Sequence, residues 1–370
     1  MKLTSKVLTT KDNEEWDKLI DSVPNADVYY SAGYHKIYEQ SYSKDIDESF
    51  NGKAFLFFYG DEESCVIFPF FKRKIEVPYV SGEFFDITTV YGYSGPIIKC
   101  SKNKDKLIEG FLDSLNKYCL ENNIVSGFIR FHPLINNYLD FKDHVKLIDE
   151  RDTIYIDLEK NLDIIFKEFN KKTRNQTRKS EKSGVVVYKS ESEDDLKDFA
   201  NLYLRRMEYN KTTKKYFFPF EFYKNTKEFL GEDISLFVAK YKDKIISSSL
   251  FIHRNNYVHY HFSGSNEEFW NLSASNLVLW EAMKYFKEKG YKKFLLGAGN
   301  SKGDSLYHFK YGFSKDRSLF RAGGMIFDNR LYEKLVDLRK KYCEENKIEF
   351  NDSFFPAYRG YVSSNVKVTS

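Results

Sequence analysis

The stretch ISLFVAKYKDKIISSSLFIH, residues 234–253, decides the fold. Two apolar runs rich in β-branched residues flank the turn KDK, so they read as a hairpin. YVHYHFSGS (257–265) adds a strand on which His259 and His261 share one face and Tyr260 takes the other. Leu279, Ala282, Met283 and Phe286 then recur at helical spacing before Gly290. KKFLLGAG (292–299) returns to a strand. Hairpin, strand, amphipathic helix and strand describe an α/β lobe, a mixed β-sheet flanked by helices.

The same order occurs earlier in the chain. KAFLFFY (53–59), the turn GDEES and CVIFPFF (65–71) form a hairpin. Ile108, Phe111, Leu112, Leu115 and Cys119 mark a helix, and GFIRFHP (127–133) a strand. The two hairpins begin about 180 residues apart, which predicts two tandem lobes of like topology. The first lobe is placed at 1–151, the second at 152–350 and a C-terminal tail at 351–370. The second lobe opens on the strand DTIYIDL (152–158) and continues into a single helix over 161–183; a last amphipathic helix spans 332–347.

Composition narrows the function classes. With 42% hydrophobic and 18% aromatic residues among 370, the chain buries a core and is not disordered. A net charge of +4 is too small to mark nucleic-acid binding by itself, so any basic surface must come from clustering. Cys65, Cys100, Cys119 and Cys343 are far apart and form neither a CxxC pair nor a zinc pattern; they read as reduced thiols, and no metal is expected. The N-terminus lacks the apolar core of a signal peptide, and no run approaches the ~20 apolar residues of a membrane span. A soluble, cytoplasmic protein is the expectation, at most peripheral at a membrane.

KEFNKKTRNQTRKSEK (167–182) is the clearest cluster: seven Lys and Arg against Glu168 and Glu181. On one continuous helix, Lys167, Lys171, Arg174, Arg178 and Lys182 fall on a single face. Like charges at that spacing repel. The stripe therefore points to an anionic partner, and its two Arg suit phosphate, which they bind in two-pronged geometry. A solvated surface helix in a Lys-rich chain is the competing reading.

These segments, in order, resemble the FemAB family, peptidyltransferases that add amino acids to peptidoglycan precursors. The resemblance runs from about Tyr29 to Arg321. It rests on YYSAGYHKIYEQS (29–41), VYGYSGPII (90–98), FIRFHP (128–133), TRNQTRKSEKSGV (173–185), NLSASNLVLWEAMKYFKEKGYKKFLLGAG (271–299) and LYHFKYGFS (306–314). It implies two tandem GNAT-like (acyl-CoA N-acyltransferase-like) lobes and an aminoacyl-tRNA co-substrate without a bound cofactor. The acceptor it implies is phosphate-bearing, a small molecule or lipid-linked. By motif match Lys36 and Arg174 bind the acceptor phosphates, supported by Arg178, and Lys310 lies near the transferring carbonyl. Two departures stand out. Ile97, Ile98, Lys99 and Cys100 follow the Gly-Pro turn where the family often carries an acid, and 184–234 is too short for a coiled-coil arm.

Aminolysis of an ester or thioester needs a deprotonated amine, a positioned carbonyl and a stabilised oxyanion. Lys310 suits the last role, with Gly312 beside it allowing close approach. His259, His261 and Tyr260 are the candidates for proton transfer, and Tyr93 and Ser94 could line an acceptor groove. Aromatic packing and satisfied core imidazoles are the competing reading. An acyl-CoA-dependent N-acyltransferase is a rival, yet NEEFWNLSASN (266–276) and KCSKNKDK (99–106) lack the glycines of a pyrophosphate cradle. The second rival is a non-catalytic RNA-binding or scaffold protein using the basic helix.

Overall fold

A computed structural model describes residues 3–41, 52–100, 102–213, 216–299 and 303–361. The chain divides into two compact units. Residues 1–24, 49–150 and 320–370 make the first; 25–48 and 151–319 make the second. The single cut expected at 151/152 is thus accompanied by two exchanges: 25–48 joins the second unit, and 320–370, with the last helix, joins the first.

The first unit holds a mixed sheet. Thr4–Thr9, Gly52–Gly60 and Cys65–Lys74 are antiparallel neighbours. Phe85–Thr88 pairs antiparallel with Cys65–Lys74 and parallel with Ile124–Arg130. The helix Lys104–Glu121 covers the sheet with Leu107, Ile108, Phe111, Leu115 and Cys119, all buried, against Phe57, Phe68 and Phe70. Cys119 is fully buried as its spacing predicts, and burial pushes its thiol well above the usual range. Part of the expected tail is docked in this unit: Tyr358 is fully buried, and its hydroxyl donates to Asp86 at 3.1 Å. Asp86 also pairs with Arg73 at 2.8 Å and Arg359 at 2.6 Å. A buried carboxylate requires such compensation. The last tail residues, 362–370, lie outside the described residues.

In the second unit, Val186–Ser190, Ile234–Tyr241, Lys244–Arg254 and Tyr257–Ser265 are successive antiparallel neighbours. Tyr257–Ser265 then runs parallel to Lys293–Gly297, which pairs antiparallel with residues 154–157. The helix Ala274–Glu288 fills the core with Val278, Leu279, Ala282, Met283 and Phe286. The helix Glu193–Tyr209 crosses the strand Tyr257–Ser265 closely enough that a Cβ on Gly264 would meet the backbone of Leu202 and Tyr203 at 2.5 Å. Ser192 caps that helix, accepting from Asp194 and Asp195 N–H, and Glu193, Asp194 and Asp195 place negative charge in its first turn.

One element differs from its sequence reading. The helix expected over 161–183 is two helices, Leu162–Glu168 and Lys171–Lys182. Asn170 is extended (φ −64°, ψ 162°), and its side chain accepts from Thr173 N–H at 2.7 Å, starting a new helix. Lys167 therefore lies on the preceding helix and leaves the expected five-cation stripe.

Candidate active site

The strand Tyr257–Ser265 carries a structural singularity. Its register against Lys244–Arg254 slips between Leu250 and Phe251, which pair with Phe262 and Tyr260; His261 is the extra residue of a β-bulge. On its other edge, pairing with Lys293–Gly297 covers Tyr257–His259 against Lys293–Leu295 and then stops. Beyond His259 the pairing between the two parallel strands ends, a gap in the ladder that leaves this edge of Tyr260–Ser265 without a strand partner among the described residues. The bulge also interrupts the alternation expected for YVHYHF, since one added residue reverses the faces that follow.

His259 is buried and its Nε2 lies 2.5 Å from Asp27 Oδ2, while Asp27 Oδ1 accepts from Val28 N–H at 2.6 Å. The pair ties the aromatic segment 27–41 to the strand. His261 packs near Tyr34 on the helix Ala32–Ser41, ring centroids 6.1 Å apart. Burial pushes His261 down to about 3, so its imidazole is neutral and weakly basic at physiological pH. Tyr260 packs on Phe251 at 5.8 Å, and burial raises its phenol above the usual value against the hydroxyls of Ser263 and Ser249. It stays protonated at neutral pH. Both groups stand at the gap, yet neither is poised as a base.

Lys310 is. Lys310 lies on the helix Ser305–Tyr311, started by Asp304, whose carboxylate accepts from Tyr307 N–H at 2.7 Å. Lys310 is only 8% exposed, and its Nζ donates to the carbonyl of Ala298, just past the strand Lys293–Gly297, at 2.6 Å. Burial lowers its ammonium to about 8, with Asp304 opposing. The cation thus lies beside the second strand of the gap. Gly312 has a different role from the one expected. A Cβ there would meet Thr173 Oγ1 at 2.3 Å, and the Gly312 carbonyl accepts from Asn170 N–H at 2.8 Å. The glycine lets the end of the Lys310 helix abut the start of the basic helix.

On that basic helix, Arg174 turns back. Its guanidinium donates to the carbonyls of Lys167 and Phe169, capping the helix Leu162–Glu168. The expected phosphate ligand is occupied by backbone, because the break at Asn170 leaves those carbonyls unpaired. Arg178 stays exposed, 5.1 Å from the Phe166 ring. With Asn175, Lys179, Lys182 and Ser183 it lines an open depression of about 490 Å³. Lys36 is half-buried on the helix Ala32–Ser41 and has no hydrogen bond or ion pair among the described residues.

Lys36, Arg174, Arg178, His261, Tyr260 and Lys310 all belong to the second unit; Tyr93 and Ser94 belong to the first. There the backbone of Ser94 is fixed: its N–H donates to Arg130 O at 2.8 Å, and its carbonyl accepts from Asn137 Nδ2 at 2.9 Å. Tyr93 is half-buried between His132 and Phe320, at 6.0 and 5.5 Å. Among the described residues, no helix is long and apolar enough to cross a membrane.

Comparison with known proteins agrees with this architecture. Residues 167–311 match the family model described as an acetyltransferase (GNAT) domain. The crystal structure of FemX superposes with a TM-score of 0.68 at 16% identity, covering 90% of this chain and 99% of FemX. A conserved protein of unknown function from Bacteroides thetaiotaomicron VPI-5482 superposes with a TM-score of 0.52 at 11% identity, covering 87% and 99% of the two chains. No curated protein matches the chain in sequence. Residues 167–311 thus match a GNAT acetyltransferase domain, which makes the chain an acyltransferase, and the fold is FemX-like over most of its length.

Proposed function

We propose that this acyltransferase works in FemAB fashion, moving an aminoacyl group from tRNA to an amine of a phosphate-bearing cell-envelope precursor. The observation that carries the proposal is Lys310: a buried cation held on the Ala298 carbonyl beside the gap where the pairing of strands Tyr257–Ser265 and Lys293–Gly297 ends. A donor carbonyl entering that gap meets one preorganised positive charge in a water-poor setting, where such a charge acts most strongly. The attacking amine forms a C–N bond as the carbonyl's bond to the ribose oxygen breaks. The proton leaving the nitrogen ends on that oxygen. His261 is too weakly basic to take it, so the proton passes through water or the substrate itself.

Two further features support the reading. Lys36 is uncommitted and sits on a helix contacting His261, so it can meet an acceptor phosphate, with Arg178 as a second charge. Ahead of the helix Ala274–Glu288, the chain forms a 3-10 turn, Glu267–Leu272, without glycine, unlike a CoA pyrophosphate cradle. The test is transfer of radiolabel from charged tRNA pools to amine acceptors, with and without ribonuclease. The proposal expects product that ribonuclease abolishes. Label arriving from acetyl-CoA, insensitive to ribonuclease, would overturn the choice of donor.

A further inference from the structure

Three surface residues of the second unit have no part in the gap described above. Tyr209 ends the helix Glu193–Tyr209, and Trp270 lies in the turn Glu267–Leu272. They are 61% and 38% exposed. Their rings meet edge to face, centroids 5.0 Å apart. Arg206 sits over both, 5.6 Å from Tyr209 and 4.9 Å from Trp270. Leaving an indole and a phenol in water gives the fold little, since burial is what stabilises them. Yet the indole is held in place. Its Nε1 donates to Ser265 Oγ at 3.0 Å, and Asn266 caps its turn by accepting from Glu268 N–H at 3.1 Å.

Charge separates the two neighbouring arginines. Arg205 is ion-paired with Glu267 at 2.5 Å, whereas Arg206 makes no salt bridge among the described residues, although its charge also reaches Glu267. Its positive charge reaches the phenol of Tyr260 on the gap. Ser265, which holds the indole, ends the strand whose Tyr260 and His261 stand at the gap. An aromatic pair with an uncommitted guanidinium therefore sits at the outer end of the strand that forms one limb of the reaction site. Bases stack on such rings, and Arg supplies cation–π and phosphate contacts. Glu208, Glu267 and Glu268 lie close to Arg205 on this surface, so they disfavour a broad anionic membrane and leave Arg206 to hold a single phosphate against them.

We propose that Trp270, Tyr209 and Arg206 seat the nucleotide end of the acyl donor, base against the rings and phosphate on Arg206. This rests on the transfer reading above. Aminoacyl-tRNA and acyl-CoA both carry a phosphorylated adenosine, bonded to the acyl group through its ribose in the first and separated from it by the pantetheine arm in the second, and that nucleotide is what the platform takes.

The test is binding, independent of turnover. Adenosine 3′,5′-bisphosphate is titrated by tryptophan fluorescence; Trp16 is fully buried and Trp280 is packed on Phe166 and Phe169, so Trp270 is the exposed reporter. Calorimetry repeats the titration on variants. Trp270→Ala and Tyr209→Ala should each weaken binding ~10-fold, the scale of one stacked base. Arg206→Ala should weaken it and flatten its salt dependence, while Trp270→Phe should bind nearly as wild type. Displacement of the bisphosphate by acetyl-CoA assigns a thioester donor. Displacement by tRNA, lost when the terminal adenosine is removed, assigns tRNA. Displacement by neither, or unchanged affinity in Trp270→Ala and Tyr209→Ala, overturns the platform. Transfer surviving alongside that result leaves the reaction standing; a platform that binds as expected in a protein without transfer rejects the reaction instead.

Discussion

Lys310→Met is the most informative perturbation, because it separates stability from catalysis. The side chain keeps its length and loses its charge. In the fold, burial lowers this ammonium from 10.5 to about 8. Keeping it protonated at pH 7 therefore costs the folded state ~3 kcal/mol. The hydrogen bond to Ala298 offsets ~1.5–3 kcal/mol of that. Removing both should leave stability at pH 7 unchanged or raised by ~1–2 kcal/mol. The sign with pH follows from proton counts. Between about 8 and 10.5 the unfolded chain binds more protons than the folded one, so wild-type stability rises through that window relative to the variant. Urea unfolding at pH 7 and pH 10 measures both. Single-turnover transfer should fall ~100-fold or more, the scale of losing one oxyanion donor, and the wild-type rate should decline above about pH 8 as the cation is lost. A variant that unfolds several kcal/mol more easily at pH 7 yet transfers normally would refute the reasoning and make Lys310 structural.

Other outcomes follow from the same geometry. Asp86→Asn strands the buried Arg73 and Arg359 and should cost about 3–5 kcal/mol in chemical unfolding at pH 7. Burial pushes the Asp86 carboxyl up, but the two guanidiniums pull it below the usual range; its stabilisation is full above about pH 4 and is lost as pH falls through the lower folded value, so the deficit of the variant should shrink in acid. Arg174→Ala should lower stability by ~1–2 kcal/mol through the lost carbonyl contacts, with little change in acceptor affinity, measured by paired denaturation and binding titrations. Lys36→Ala and Arg178→Ala should do the reverse, each weakening a phosphate-bearing acceptor several-fold at unchanged stability. Gly312→Ala should destabilise, because the added methyl meets Thr173 Oγ1 and Phe309 O, and thermal unfolding reads the loss.

The sequence revealed the sheets better than the site. Tyr257–Ser265 and Ile234–Tyr241 form with the bounds their alternation implies, because β-branched and aromatic runs between turns leave few alternatives. The break at Asn170 was readable too, as an Asn positioned to cap the residues after it, but the Lys and Arg around it favoured one long helix. The bulge at His261 leaves no mark in YVHYHF, since an extra residue in a strand looks like ordinary alternation. Asp27 was invisible as the partner of His259 for a related reason: 232 residues separate them, and no local pattern encodes so distant a pair. The exchange of 25–48 and 320–370 between units is hidden in the same way, because an amphipathic helix shows that it has a buried face and not which sheet it covers.

The account depends on where the donor carbonyl sits. A crystal structure of the protein with a non-hydrolysable, amide-linked aminoacyl-adenosine tests this directly. The account predicts the amide oxygen within hydrogen-bonding distance, about 3 Å, of Lys310 Nζ, in the gap between strands Tyr257–Ser265 and Lys293–Gly297. An analogue bound in order with its carbonyl away from that gap, and Lys310 still closed on Ala298, would contradict it.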